Sequence, residues 1–281
     1  MNPDPKRRYG QHFLRDTGII NRVVALIGPT PGDLIIEVGG GDGALSAMLA
    51  PLVFRLLCFE IDHDLIPALS EALLPYPNAV VLAQDILSAD LSAILSAQRL
   101  SGVRLRVAGN LPYNIGTAII EKLLSEPLPI EDMIFMLQLE TAERISASPG
   151  SKEYGFFSVY CQHFCSVTLG FKVSPACFVP RPKVYSAIVT LRPRSLDRDP
   201  ILEHDFLEVA KAAFAHRRKK LANSLQRARQ FGPSSAEILS RAGIDGARRA
   251  EDLSVEEFER LAAVYHEFKP RAGSAFSRSA N

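Results

Sequence analysis

The apolar positions fall into short runs separated by longer stretches with an apolar residue every third or fourth place. "DLIIEVG" (33–39), "RLLCFEI" (55–61), "NAVVLAQ" (78–84), "RLRVAGN" (104–110) and "DMIFMLQ" (132–138) are each followed by a segment of helical texture. Strands apolar on both faces that alternate with helices predict a parallel sheet covered on both sides. Two later runs, "CSVTLGFKV" and "YSAIVTLRP", have no crossover helix between them and are predicted to pair antiparallel at the sheet edge. The intervening "SPACFVPRPKV", with its prolines, predicts a loop.

Beyond "LRPRSLDRDP" the texture changes. "EHDFLEVAKAAFAHRRKKLANSLQRA", "SSAEILSRAG" and "SVEEFERLAAVYHEF" are all helical in period, and Ser254 followed by Glu257 fits a capping box. The predicted architecture is α/β: a Rossmann-like domain over residues 1–195, a small all-helical domain over 196–270, and a flexible polar tail over 271–281.

Composition changes this picture little. The chain has 281 residues, 47% of them hydrophobic, and a net charge of +1, so it is no polycation. The charge is uneven: the part from Arg192 onward is basic and the rest slightly acidic, an asymmetry that can steer a polyanion. The four cysteines form no CxxC pair. Cys161 and Cys165 are spaced to share a helical face, and separate buried thiols in a reducing compartment are expected. No apolar h-region follows the basic N-terminus and no run is long enough to span a bilayer. A cytoplasmic protein without a membrane partner is predicted.

Candidate chemistry begins at "IIEVGGGDGAL". A strand runs into Gly39, Gly40, Gly41 and Gly43 just ahead of a helix, where glycine lets the backbone approach a ligand and the helix presents free N–H groups. The next strand ends at Glu60, where a carboxylate can accept both hydroxyls of a ribose. Asp85, after the third strand, can accept from an adenine amino group. Gly39, Gly41 and Ala44 also satisfy a relaxed dinucleotide pattern, so a nicotinamide cofactor stays open at this point.

The fourth strand ends in Asn110, Leu111, Pro112 and Tyr113. An exocyclic amine on a base is a poor nucleophile because its lone pair is delocalised into the ring. Two acceptors, the Asn110 side-chain oxygen and a carbonyl of Leu111 or Pro112, can hold its hydrogens and favour a tetrahedral nitrogen. Pro112 stiffens the corner, and Tyr113 can stack on an extruded base. A methyl donor that is already electrophilic then needs orientation more than acid–base help.

Taken together, "GQHFL", "EVGGGDGALS", "EID", "QDIL", "GNLPYN", "MLQLETAERI" and "FVPRPKVYSAIV" resemble the ribosomal RNA adenine dimethyltransferases over roughly residues 7–270, with the small-subunit (16S) branch nearest. The resemblance implies a Rossmann-like methyltransferase domain that uses S-adenosyl-L-methionine and releases S-adenosyl-L-homocysteine. It implies that His12 and Leu14 close over the methionine part of that cofactor. Gly39 and Gly41 form its glycine turn, Glu60 takes its ribose, and Asp85 its adenine. Asn110 touches the cofactor and holds the target amine, while Tyr113 and Phe178 form aromatic faces around the target adenine. The implied reaction is N6,N6-dimethylation of two adjacent adenosines near the 3′ end of small-subunit rRNA, on an immature small subunit, by a monomer. The chain departs from the family at His12, where Asn is commoner, at Leu139 in place of Lys, and at Gly40 in place of Pro or Ala.

The run His216, Arg217, Arg218, Lys219, Lys220, with Arg227 and Arg229 beyond it, is expected on a helix and is the candidate RNA grip, with Lys6, Arg7 and Arg8 as further phosphate contacts. Arg248 and Arg249 are weaker candidates. Three other readings compete: a large-subunit (23S) adenine methyltransferase of the macrolide-resistance type, an NAD-linked oxidoreductase, and a non-catalytic RNA-binding assembly factor.

Overall fold

The computed structural model describes residues 11–98, 102–194, 199–216 and 218–269. In chain order the elements are β1 (Phe13–Leu14), α1 (Thr17–Ile27), β2 (Asp33–Val38), α2 (Ser46–Leu49), β3 (Arg55–Phe59), α3 (Ile66–Leu73), β4 (Ala79–Leu82), α4 (Leu91–Ser96), β5 (Arg104–Asn110) and α5 (Gly116–Ser125). They continue with β6 (Ile130–Gln138), α6 (Leu139–Ile145), α7 (Phe156–Phe164), β7 (Cys165–Val173), β8 (Phe178–Val179), β9 (Ser186–Pro193), α8 (Pro200–Phe214), α9 (Leu221–Arg227), α10 (Ser235–Arg241) and α11 (Val255–Phe268).

Seven strands form one sheet in the order β4-β3-β2-β5-β6-β9-β7. The five strands β2 to β6 run parallel, and β9 lies antiparallel to both β6 and β7. The predicted pairing of the two late strands is therefore present, with β9 inserted next to β6 and β7 at the edge. Strand order reverses between β2 and β5, and ligands in open α/β sheets bind beyond the carboxyl ends at such a switch point.

Local signals account for the element ends. Asp16 caps α1 by accepting from the Ile19 N–H, and Gly28 ends the helix in the left-handed region. Asp90 and Asp199 cap α4 and α8 in the same way, and Ser254 and Glu257 form the predicted capping box on α11. All six positions of β2 are buried, as a central parallel strand requires. Ile35, Leu56, Cys58, Ala108, Ile134, Met136 and Ile188 pack with α1, α2 and α3 in one core. Leu34, Ile36, Leu57, Val107 and Phe135 alternate onto the other face and are equally buried.

At the amino end of the sheet, buried Arg106 donates to both oxygens of Asp132 (2.7 and 2.8 Å), to Asp33 at 3.2 Å, and to the Ile27 and Gly28 carbonyls that close α1. A buried guanidinium with this many acceptors is satisfied rather than reactive. The reactive candidates all lie at the opposite end.

The chain divides into two compact units, one of residues 1–143 and 164–196, the other of 144–163 and 197–281. The linear division at 195/196 therefore misses an excursion: residues 144–163 leave the sheet unit, give Ala147, Tyr154 and Val159 to the helical core, and return. That core also holds Phe206, Val209, Leu221, Leu225, Phe258 and Leu261, and the Tyr154 hydroxyl donates to the Leu253 carbonyl at 3.0 Å. The tail at 271–281 lies outside the described residues.

None of the four cysteines is in a disulfide. Cys161 lies in α7 and Cys165 opens β7, so they share no helical face, and Cys177 is only half-buried. No helix among the described residues is long and apolar enough to cross a membrane.

Candidate active site

The carboxyl ends of β2, β3, β4 and β5 meet at a cavity of about 320 Å³ whose walls include His12, Gly39, Gly41, Glu60, Asp85, Asn110, Leu111, Pro112 and Tyr113. A smaller cavity of about 60 Å³ adjoins it under the glycine turn and shares His12, Gly39, Gly41 and Asn110, adding Leu14 and Glu37. The strand ends thus bring together every residue assigned from the sequence to the cofactor or the target amine except Phe178.

The turn works as its glycines require. Gly39 (φ 76°) and Gly41 (φ 58°) are left-handed, a region side chains disfavour. The Gly39 N–H is held by the Phe59 carbonyl at 2.9 Å, and a Cβ there would point at the Asn110 carbonyl, 3.6 Å away. Gly40 is different. A Cβ on it would meet the tip of Leu69 at 2.7 Å, so the missing side chain is matched by a Leu69 that fills its space. Gly109 was not singled out from the sequence, yet a Cβ on it would lie 2.4 Å from the Val38 carbonyl. Only glycine lets β5 approach β2 this closely beside Asn110.

Glu60 is buried at 6% exposure, and both of its oxygens accept backbone N–H groups, Oε2 from Gly41 at 2.8 Å and Oε1 from Asp62 at 2.9 Å. Burial pushes its pKa up, and the two N–H donors partly oppose that shift. The carboxylate is thereby aimed, with lone pairs left for hydroxyl donors. Asp85 is oriented by accepting from the Leu87 N–H through Oδ1 at 2.9 Å. Glu37, one strand inward, is buried with no ion-pair partner among the described residues, and burial raises its pKa to about 7. Its Oε2 accepts from the Cys58 thiol at 3.4 Å.

Asn110 closes the fourth strand. Its Nδ2 donates to the His12 carbonyl at 2.9 Å, which fixes the amide so that Oδ1 is the oxygen left over. Of the two carbonyls beside it, that of Pro112 is already taken by the Ile115 and Gly116 N–H groups at the start of α5. The Leu111 carbonyl takes no hydrogen bond among the described residues. Between the two alternatives open in the sequence, Leu111 is therefore the available acceptor beside Asn110. Tyr113 is half-buried, and its hydroxyl pairs with Ser186 Oγ at 2.7 Å; burial raises its pKa, keeping the phenol neutral.

The His12 ring lies beside that of Tyr113, with centroids 5.2 Å apart and planes tilted by 33°. His12 Nδ1 contacts the Pro180 carbonyl at 2.8 Å. Because a carbonyl only accepts, Nδ1 carries the hydrogen, and in the neutral ring Nε2 carries the lone pair.

Phe178 corrects the expectation placed on it. It is only 2% exposed, pairs with Leu14 in the β1–β8 ladder and packs into the sheet core, so it forms no wall of the cavity. The physical reason is strand alternation: in a two-residue strand one side chain faces in and its neighbour, Val179, faces out.

The basic run also departs from expectation. α8 ends at Phe214 and α9 begins at Leu221, so His216, Arg218, Lys219 and Lys220 occupy the turn between two helices instead of a helical face. The first N–H groups of α9 are taken by the Arg248 and Gly246 carbonyls (2.8 and 3.1 Å), which starts that helix afresh. Arg218, Lys219 and Lys220 are exposed, whereas Arg248 is engaged bidentately by Glu257 at 2.6 and 2.9 Å. Arg217, Lys6, Arg7 and Arg8 lie outside the described residues.

A family profile described as ribosomal RNA adenine dimethylase matches residues 3–267. The chain belongs to the ribosomal RNA adenine dimethylase family. It is 42% identical to the ribosomal RNA small subunit methyltransferase A of Bacillus thuringiensis (strain Al Hakam) over 273 residues, covering 93% of this chain and 92% of that protein. The corresponding protein of Bacillus mycoides (strain KBAB4) is also 42% identical, over 266 residues and 91% and 89% of the two chains. Among solved structures, a dimethyladenosine transferase from Plasmodium falciparum shares the fold with a TM-score of 0.77 at 24% identity, over 89% of this chain and 96% of that one. The 23S rRNA methyltransferase ErmE has a TM-score of 0.67 at 28% identity, over 90% and 98%. Membership in this family sets aside the NAD-linked reading, and the chain is an rRNA adenine methyltransferase.

For a dimethylase of this kind the geometry fits an S-adenosyl donor. Glu60 and Asp85 both present oriented carboxylates to the same cavity, and the glycine turn leaves its wall without side chains at Gly39 and Gly41. Several wall residues were missed from the sequence. Gln84 and Asn114 line the main cavity, and Gln11 also donates to Asp62 at 2.7 Å. Their signal, a polar residue next to a motif, is too common to select one.

Proposed function

We propose that this protein uses S-adenosyl-L-methionine to convert two adjacent adenosines near the 3′ end of small-subunit rRNA to N6,N6-dimethyladenosine, on an immature small ribosomal subunit. The observation that carries the reading is the pair of acceptors at the end of β5: Asn110 Oδ1, oriented through the His12 carbonyl, and the unengaged Leu111 carbonyl. Two acceptors side by side match the two hydrogens of an exocyclic amine. The small-subunit assignment follows the relatives named above, which are 42% identical over most of their length.

The cofactor supplies an electrophilic methyl group on a sulfonium. The rest is positioning by this chain. Glu60 and Asp85 orient the nucleoside. Asn110 and Leu111 draw the amine hydrogens toward themselves, the nitrogen lone pair turns toward the incoming carbon, and the proton released by each methylation passes to water. Tyr113, pinned through Ser186, offers a ring face to the extruded base and offsets part of its unstacking. The ring packed beside it is that of His12, not Phe178. Orientation of this sort supplies much of the rate enhancement for a donor that is already activated. Arg218, Lys219 and Lys220 serve as phosphate contacts in the second unit, with Arg217 the fourth residue of that set.

The deciding experiment incubates the protein with radiolabelled S-adenosyl-L-methionine and, in parallel, immature small subunits or protein-free 23S rRNA, and maps the modified nucleosides. Label in N6,N6-dimethyladenosine at two neighbouring 16S positions is the expected result. Label confined to 23S rRNA would transfer the protein to the macrolide-resistance type, and no label would leave an RNA-binding assembly factor.

A further inference from the structure

The segment between β8 and β9 is used by the site only at its ends, through Pro180 and Ser186. Its middle carries an unusual surface. Val179, Val184 and Tyr185 are 55%, 44% and 53% exposed, three large apolar side chains within seven residues. Arg181 and Lys183 are exposed between them, with no ion pair among the described residues. Rigid anchoring at both ends makes this more than a loose loop. Val179 pairs with Phe13, the Pro180 carbonyl holds the His12 ring, the Tyr185 carbonyl accepts from the Leu139 N–H at 2.9 Å, and Ser186 holds Tyr113.

Sheet register fixes where it lies. Asn110 pairs with Met136 on β6, and Gln138, two residues further on, pairs with Ser186 on β9. From strand spacing and rise, Ser186 is displaced from Asn110 by roughly 10 Å across the sheet and roughly 7 Å along it. Tyr113 spans that interval, and Tyr185 is the next residue outward. An exposed phenol ring, with two exposed cations four and two residues before it in the chain, thus stands one step beyond Tyr113.

We infer that Tyr185, with Arg181 and Lys183, binds the single-stranded RNA next to the target adenosine, the ring stacking on a flanking base and the two cations contacting its phosphates. The inference rests on the rRNA reading above and extends it with a second nucleotide subsite. Single-stranded RNA suits the surface better than a protein partner does, because an exposed ring beside two cations that make no ion pair among the described residues matches a base beside its phosphates.

The test compares the unmodified protein with Tyr185→Ala, Tyr185→Phe and Arg181→Ala/Lys183→Ala. It measures methyl transfer to immature small subunits, anisotropy of a short single-stranded RNA holding two adjacent adenines, and S-adenosylhomocysteine affinity. Tyr185→Ala is expected to lose roughly 5- to 100-fold in kcat/KM and a similar factor in oligonucleotide affinity, the span of one stacked base. Tyr185→Phe recovers most of it, and S-adenosylhomocysteine affinity stays the same in both. Arg181→Ala/Lys183→Ala should lower the salt slope of RNA binding by about 1.4, the value for two phosphates on a single strand. An active unmodified protein with an indifferent Tyr185→Ala overturns this inference alone. Loss on subunits but not on the oligonucleotide overturns it in favour of a protein contact. An unmodified protein inactive on small subunits overturns the parent reading.

Discussion

Replacing Asn110 by alanine separates the two things this residue touches. The side chain makes one neutral hydrogen bond, Nδ2 to the His12 carbonyl at 2.9 Å, which ties the chain before β1 to the cavity. A bond of that kind contributes about 0.5–1.5 kcal/mol, so S-adenosylhomocysteine affinity should fall by no more than about tenfold. The Oδ1 atom is the other matter. In the proposed role it is one of two acceptors for the amine, with the Leu111 carbonyl, since the Pro112 carbonyl is occupied by α5. Removing a preoriented group that acts in the transition state typically costs about 10²–10³ in kcat. Methyl transfer should therefore fall at least ten times further than cofactor affinity. Asn110→Asp sharpens the contrast: it keeps an acceptor but faces the His12 carbonyl with a carboxylate that cannot donate, so the side chain must swing away. Calorimetry with S-adenosylhomocysteine and single-turnover transfer to immature small subunits give the two numbers. Equal losses in both would refute the amine-holding role and reduce Asn110 to a cofactor contact.

Three further outcomes follow from the same geometry. Glu60→Ala removes the oriented ribose acceptor and leaves the Gly41 and Asp62 N–H groups unpaired, so calorimetry should show S-adenosylhomocysteine binding weakened by at least tenfold; undiminished binding would move the nucleoside elsewhere. Arg218→Glu/Lys219→Glu/Lys220→Glu should weaken RNA binding and flatten its dependence on salt by about 0.7–0.9 for each phosphate no longer neutralised, with an unchanged slope removing that turn from the RNA face. Glu37 has a folded pKa of about 7 against an ordinary 4.5, so the fold favours its protonated form. That stability is complete below pH 4.5 and is lost as pH rises through 7, on the order of 3 kcal/mol. Glu37→Gln should flatten this slope and melt higher than the parent at pH 8, and parallel pH–stability curves for the two proteins would contradict it.

The parallel sheet and the glycine turn that walls the cavity were readable because their signals are strong and local. Strands buried on both faces leave uninterrupted apolar runs, and the left-handed turns at Gly39 and Gly41 leave glycine where little else fits. The rest depended on pairings far apart in sequence. β1 and β8 are two residues each, too short for any periodicity, and only their pairing decides that Phe178 turns inward while Val179 turns out. The helical period runs through "AFAHRRKKLANSL", yet the helix breaks there, since the α9 N–H groups find carbonyls about two dozen residues later. The choice of Leu111 over Pro112 as acceptor could not be read locally either, because it turns on which carbonyl the next helix consumes.

The path of residues 144–163 bears on how this protein can be taken apart. A designer who cut after residue 196 to obtain a free-standing methyltransferase domain would strand Tyr154 and Val159 without the interior they belong to. Grafting the C-terminal helices onto another scaffold would fail in mirror image, since the transplant would arrive with a hole where that aromatic ring sits. Wherever a relative varies its helical part, the segment 144–163, from the end of α6 through most of α7, has to vary in step, and recombination between relatives should succeed only when both pieces come from the same parent.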